Sequence, residues 1–208
     1  MDTQTLLALL RRLAHARPGR NTLDLPGDLS PPEAIRAVRA ALKALDPAPA
    51  AQAPPRQSTA AMRAHIDGAS RGNPGPAGIG VLFLGPDGAV VERLCCGIGT
   101  ATNNVAEYTA LLLALERAVA LGVTELEVYS DSELLVRQLL GRYQVKHPAL
   151  RPLFAVAREH IAGLRHFGIH YVPRELNAEA DALANRGIDE AARAAGRAMP
   201  PLAAEDAE

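Results

Sequence analysis

The stretch NVAEYTALLLALERAVAL, residues 104–121, decides the architecture of this chain. It is strongly apolar, has no internal Gly or Pro, and stops before Gly122, which predicts one long helix. Working back from it, MRAHID at 62–67 and AGIGVLFL at 77–84 read as strands. Pro86-Asp87-Gly88 is a turn signal ahead of a third strand at 89–97. Working forward, ELEVYS at 125–130 predicts a fourth strand and 132–140 a short helix. A connection holding Tyr143 to Pro148 leads to a helix at 149–163, a fifth strand at 167–172 and a last helix at 177–187. The order βββαβααβα predicts an α/β fold, a mixed five-stranded sheet flanked by helices on both faces.

Proline and alanine divide the chain around this body. DPAPAAQAPP at 46–55 has no apolar periodicity and sets residues 46–61 as a semi-rigid Pro/Ala-rich linker. Before it, residues 1–45 read as a helical hairpin. Leu6, Leu9, Leu10 and Leu13 share one helical face, and Ser30-Pro31-Pro32-Glu33 is a capping box opening a second helix lined by Ile35, Val38, Leu42 and Leu45. So small a hairpin cannot bury both apolar faces alone, so it is expected to dock on the body, on a second copy (a homodimer) or on a protein partner. After the body, residues 188–208 read as a fraying Ala-rich tail.

Of 208 residues, 22 are Lys or Arg and 23 are Asp or Glu, a formal charge of −1 that excludes a chain-wide polyanion-binding surface. The balance is a cancellation. Residues 1–60 carry +3 (eight basic, five acidic), 61–189 carry −2 (twelve and fourteen) and 190–208 carry −2 (two and four). Aromatics are 3% with no Trp, which argues against a base-stacking platform for single strands. Cys95 and Cys96 are adjacent, point to opposite faces of a strand, and read as reduced packing residues. No stretch approaches the ~20 apolar residues of a membrane span. Arg11 and Arg12 follow the Leu-rich run, where a signal peptide would want them before it, so a cytoplasmic location without membrane attachment is expected.

Four carboxylates fall where these elements converge. Asp67 is expected to end the first strand before a glycine turn, and Asp131 to end the fourth. Glu107 lies near the start of the long helix and Asp181 inside the last one. Strand ends of an α/β sheet are where ligands bind. Four clustered carboxylates call for divalent cations, and an all-oxygen set suits Mg²⁺, with Mn²⁺ as the alternative, rather than zinc. Two such ions about 4 Å apart can activate water against a phosphodiester. Singly, each residue has a plainer reading: strand-end Asp as turn former or cap, Glu107 as a partner of the helix dipole, Asp181 as a solvent-facing residue.

DGASRGNPGPAGIG at 67–80, TNNVAEYTALLLAL at 102–115, VYSDSELLVRQL at 128–139 and NAEADALA at 177–184 together resemble ribonuclease H of type 1, over residues 62–187 and with one carboxylate in each block. The resemblance implies a ribonuclease H-like catalytic domain at 62–187. It makes Asp67, Glu107, Asp131 and Asp181 the catalytic and metal-binding residues, holding two Mg²⁺ ions. It implies an endoribonuclease that hydrolyses the RNA strand of RNA/DNA hybrids and leaves 5′-phosphate and 3′-hydroxyl ends. It also makes Ser70, Asn73, Asn103 and Asn104 readers of the minor groove and its 2′-hydroxyls, which distinguish RNA from DNA. Thr102 corresponds to a residue holding a DNA-strand phosphate, and Lys146, more loosely, to a second phosphate contact. Turn and cap chemistry is the competing reading for Ser70, Asn73, Thr102, Asn103 and Asn104.

The sequence also departs from the best-known members of that family. Between the last strand and the last helix it runs YVPRELN, residues 171–177, too short for the family's flexible loop and without its His, as in the shorter archaeal and bacterial branch. Arg174 stands in that gap, with contact to the scissile region, pairing with Glu175 and a solvent-facing place as its readings, the last two preferred. His147 and His166 offer no clear substitute, and His170 reads as a partly buried structural residue. The 141–148 connection leaves no room for a basic handle, although Arg137, Arg142, Lys146, Arg151, Arg158 and Arg165 gather around it. Residues 1–60 hold no Phe, Tyr or Trp, unlike the aromatic hybrid-binding module of many relatives. Two alternatives stay open: a non-catalytic hybrid- or RNA-binding domain, and a nuclease of the same fold acting on double-stranded RNA or on junctions. The full carboxylate set favours an enzyme, and the asparagines disfavour a junction resolvase.

Overall fold

The computed structural model describes residues 22–24 and 61–198. Its strands are β1 (Thr22–Asp24), β2 (Ala61–Ser70), β3 (Gly75–Leu84), β4 (Val90–Ala101), β5 (Glu125–Ser130) and β6 (His166–Tyr171). The helices are α1 (Asn103–Ala120), α2 (Glu133–Leu139), α3 (Leu150–Ala162) and α4 (Ala178–Ala198), with a 3₁₀ turn at Arg174–Leu176. They form one mixed sheet of order β1-β4-β3-β2-β5-β6. The β2-β3-β4 meander is antiparallel, while β5 and β6 add in parallel beside β2. All five expected strands are present. The sixth, β1, pairs in parallel with Cys95–Gly97 on the outer edge of β4. The rest of the expected N-terminal hairpin, the linker up to residue 60 and the tail beyond 198 lie outside the described residues.

Each face of the sheet is covered according to its side chains. On one face Ile66, Ile79, Val81, Phe83 and Cys96 pack against α1, which also carries α3 on its outer side. Helix α1 is apolar almost all round because it is buried on both of those sides, and Tyr108, Leu111, Leu112, Leu113 and Leu115 are each nearly inaccessible. On the opposite face Leu82, Cys95 and Leu183 form a smaller cluster under α4. The two cysteines form no disulfide among the described residues and are buried, one on each face, as strand alternation requires.

Glycine sets how closely the helices approach. A Cβ at Gly80 would stand 2.3 Å from the carbonyl oxygen of Ala180, and one at Gly78 2.4 Å from that of Ala184. The GIG run at 78–80 therefore lets the Ala-rich face of α4 lie directly on β3. That packing does not stop where the sequence suggested. Helix α4 continues past residue 187 to Ala198, and Ile188 is buried, so the segment read as the start of a tail is helix docked on the sheet. No helix among the described residues is long and apolar enough to cross a membrane.

Candidate metal centre

The first carboxylate is not at a strand end. Strand β2 continues to Ser70, paired through Asp67↔Gly80 and Ser70↔Ala77 with β3, while its parallel pairing with β5 ends at His65. Asp67 thus lies mid-strand, where the β5 side becomes free. Gly68 forms no turn there; it removes a side chain. A Cβ on it would fall 2.2 Å from the backbone of Ala106 and Glu107. This close approach carries the start of α1 onto β2, and the Gly68 backbone N–H donates to the Glu107 carboxylate. Asp131 follows the last residue of β5, as expected, and Ser132 then caps α2 by accepting from the Leu135 N–H.

Asp67, Glu107 and Asp131 consequently each offer a carboxylate oxygen within 4.8 Å of the other two. They line a cleft of about 260 Å³ together with Gly68, Ala69, Asn103, Ser132, Arg174 and Asp181. Asp67 and Glu107 are each only 5% exposed. Burial first, then the charges of Asp131 and Asp181, push the Asp67 carboxyl up to about 7. Burial and the charges of Asp67 and Asp131 likewise hold the Glu107 carboxyl well above the ordinary carboxylate range. One oxygen of Glu107, Oε2, is buried without a hydrogen-bond partner. Negative charge is concentrated here beyond what the protein's own donors offset.

The fourth carboxylate stands apart. Asp181 lines the same cleft but is outside the close triad; its Oδ1 accepts from Arg174 Nη2 at 2.6 Å, and its Oδ2 faces Asn185 Nδ2 at 3.4 Å. Arg174 therefore does not pair with Glu175. The 3₁₀ turn before α4 aims its side chain back over the helix start, where it is 73% exposed. Asn177, to which the sequence assigned no role, is buried at the head of α4 and donates from Nδ2 to Asp131 Oδ1 at 2.9 Å. In sequence an Asn just ahead of a helix reads as a cap, so nothing marked it.

The polar residues of the β2–β3 and β4–α1 junctions meet at one edge of the cleft. Ser70 Oγ donates to the Ala101 carbonyl at 2.7 Å, and Asn73 Oδ1 accepts the Asn103 N–H at 3.1 Å. Thr102 is the N-cap of α1, accepting from the Val105 N–H. Asn103 lines the cleft, and Asn104, its neighbour in the chain, and Asn73, bonded to its backbone, are exposed as well. Lys146 is exposed on the α2–α3 connection and does not line the cleft. His170 is no core residue either: it and His166 are exposed on β6, each bonded to Glu127 at 2.6 Å.

Residues 65–187 match the Reverse transcriptase-like family. The chain is 45% identical to ribonuclease HI of Halobacterium salinarum over 130 residues, which is 62% of this chain and 65% of that protein. It is 33% identical to ribonuclease H of Phenylobacterium zucineum over 151 residues, 64% of this chain and 95% of that protein. The chain belongs to the ribonuclease H family. Among solved structures, LC11-RNase H1 in complex with an RNA/DNA hybrid superposes with a TM-score of 0.61 at 43% identity, covering 63% of this chain and 99% of that one. The ribonuclease H match begins beyond the first 60 residues of this chain. The chain spans 65% of the length of the halobacterial relative and 37% of that of a bifunctional mycobacterial protein.

Proposed function

We propose that the protein is a metal-dependent endoribonuclease that hydrolyses the RNA strand of RNA/DNA hybrids, leaving 5′-phosphate and 3′-hydroxyl ends. The observation that carries this reading is the convergence of Asp67, Glu107 and Asp131 within 4.8 Å, two of them nearly inaccessible and raised in pKa by burial and by neighbouring carboxylates. A triad kept for folding alone is costly, because buried like charges destabilise the chain unless a cation offsets them. The donor set is all oxygen, which fits Mg²⁺ or Mn²⁺, and the partnerless Glu107 Oε2 leaves a lone pair for such an ion.

In this reading Asp67, Glu107 and Asp131 hold the cations, with Asp181 at the open side of the same cleft. Two bound divalent ions supply the positive charge that draws in the scissile phosphate and activates water for its attack on phosphorus. The protein's own part is placement. β2, β5 and the start of α1 hold the carboxylates on regular elements. Arg174 offers an exposed cation beside Asp181 for the phosphate backbone. Ser70, Asn73, Asn103 and Asn104 present hydrogen-bonding groups at the cleft edge, matched to the 2′-hydroxyls of a shallow minor groove. Thr102 and, more loosely, Lys146 are the candidates in this reading for contacts to the DNA strand's phosphates. A relative of 43% identity is solved with an RNA/DNA hybrid, which supports the same substrate here.

A cleavage assay with end-labelled RNA/DNA, RNA/RNA and DNA/DNA duplexes in Mg²⁺ or Mn²⁺ tests the reading. Cleavage confined to the RNA strand of the hybrid is expected, with none in EDTA. Asp131→Asn should abolish it without unfolding the protein. Tight hybrid binding without cleavage by the wild type would overturn the enzyme reading in favour of a binding domain. Equal cleavage of RNA/RNA would overturn the hybrid specificity.

A further inference from the structure

We propose that Asn177 is a positioning residue for the metal centre, its amide fixing the direction in which Asp131 presents its carboxylate to a bound divalent cation. The inference rests on the metal-dependent reading above. Asn177 is 1% exposed. Its Nδ2 donates to the Ile66 carbonyl at 2.8 Å and to Asp131 Oδ1 at 2.9 Å. Both partners are acceptors only, so the amide orientation is forced: turned over, its oxygen would face two oxygens.

The backbone position of Asn177 sharpens the point. Its carbonyl accepts the Asp181 N–H at 3.1 Å, so it occupies the N-cap position of α4. An asparagine there ordinarily turns its side-chain oxygen to the N–H groups of the first turn. Here Oδ1 is buried and turned away from those N–H groups, with the His65 ring as the side-chain donor near it and no closely aligned hydrogen bond. The side chain gives up the capping bond, an arrangement that helix stability alone would not select. What the amide gains is a link among three segments: β2 at the residue before Asp67, the end of β5 at Asp131, and the head of the helix that carries Asp181 four residues on. With Oδ1 held, the plane of the Asp131 carboxylate is fixed before any ion arrives. Partners that orient metal-ligating carboxylates in this way are worth about 10–100-fold in metal affinity or activity.

The test uses the full-length chain and compares wild type, Asn177→Ala, Asn177→Ser and Leu153→Ala. Leu153 is a fully buried core residue of α3. Mn²⁺ and Mg²⁺ are titrated calorimetrically without nucleic acid, hybrid cleavage is followed at varied Mg²⁺, and melting is recorded for each protein. Asn177→Ala is expected to weaken cation binding about 10–100-fold. It should lower kcat at fixed Mg²⁺ with KM for the hybrid unchanged, and excess Mg²⁺ should recover the rate. Asn177→Ser keeps a single donor on a shorter side chain and should fall between; it carries the test if the alanine variant does not fold. Leu153→Ala should lower Tm while leaving the cation titration in place. A cation titration of the folded Asn177 variants equal to wild type would overturn the inference while leaving the nuclease reading intact. A loss of affinity in Leu153→Ala equal to that in Asn177→Ala would also overturn it, as mere loosening. If wild type neither binds cations nor cleaves, the metal-dependent reading fails and this inference falls with it.

Discussion

The cleft has two sides that hold negative charge differently. On the β2–α1–β5 side, Asp67, Glu107 and Asp131 crowd together, two of them buried, and Arg174, bonded to Asp181, offsets their charge only in part. On the α4 side, Asp181 is partly open to solvent and is already paired with Arg174. The first side is buried and electrostatically unfavourable without a cation; the second is open to solvent and neutralised from within. A centre built this way holds its buried carboxylates on regular elements and leaves an exposed ion pair at the open side. The contrast assigns opposite consequences to neutralising each side.

The largest effect should come from the buried side. Asp67→Asn and Glu107→Gln should each reduce hybrid cleavage to background. Each should also raise the Tm of the metal-free protein, because it removes a buried charge that the fold does not offset. Every 1 kcal/mol so recovered corresponds to roughly 2–4 °C in a chain of this size. Melting in EDTA, set beside the cleavage assay, checks both halves. A fall in Tm would mean that these carboxylates stabilise the metal-free fold, which would break the contrast.

Next comes the packing that creates that side. Gly68→Ala places a methyl 2.2 Å from the backbone of Ala106 and Glu107, neither of which can yield as a flexible side chain would. Overpacking of this kind costs about 1–3 kcal/mol. The start of α1 should be displaced, so melting should show destabilisation and calorimetric titration should show weakened cation binding. By contrast, alanine at Gly122 or Gly141 meets nothing within 4 Å and is strained only by a positive φ of about 70°. Either should lower Tm while leaving cation binding unchanged.

The same residues show how far the sequence could be read. The long helix, the five strands, the cysteines on opposite faces and the four acidic blocks were legible because each rests on periodicity or on an ordered set of motifs. Gly68 was not. A glycine after a strand carboxylate reads as a turn, and only the helix lying against it reveals that it permits close approach. The extent of α4 was hidden because AARAAGRA has the composition of a tail, whereas small residues are what a helix packed closely on a glycine-lined sheet requires. Arg174 and Asp181 are seven residues apart across a 3₁₀ turn, and no local spacing rule pairs them. His170 follows strand alternation in sequence, but helix α4 does not extend over β6, so it stays exposed and pairs with Glu127.

The charge on the buried side also makes a pH prediction. In the folded metal-free protein the Asp67 carboxyl is raised from 3.8 to about 7, by burial first and then by Asp131 and Asp181. Between those values the folded state holds a proton that the unfolded chain has lost, so unfolding releases protons and stability falls as pH rises. Melting in EDTA should therefore give a higher Tm at pH 5 than at pH 7.5 from this group, and Asp67→Asn should reduce the slope. Mg²⁺ should stabilise most at the upper end of the range, where the carboxylates it replaces protons on are ionised. A Tm that rose with pH in the wild type, and equally in Asp67→Asn, would remove Asp67 as the source of the dependence.

The smallest effect belongs to the open side. Arg174→Ala removes an exposed ion pair, and exposed pairs contribute about 0–1 kcal/mol, so Tm in EDTA should hardly move. Asp181 then faces the cleft with Asn185 as its remaining side-chain partner, so Mg²⁺ should bind more tightly than in wild type, the reverse of the change expected from Asn177→Ala. If Arg174 also reaches the phosphate backbone, the salt dependence of hybrid binding should become shallower by close to one counterion. Calorimetric Mg²⁺ titration and hybrid binding at several salt concentrations separate these two roles. Tighter Mg²⁺ binding with an unchanged salt slope would make Arg174 a neutraliser of Asp181 alone. A shallower slope with unchanged Mg²⁺ binding would make it a substrate contact whose bond to Asp181 is incidental.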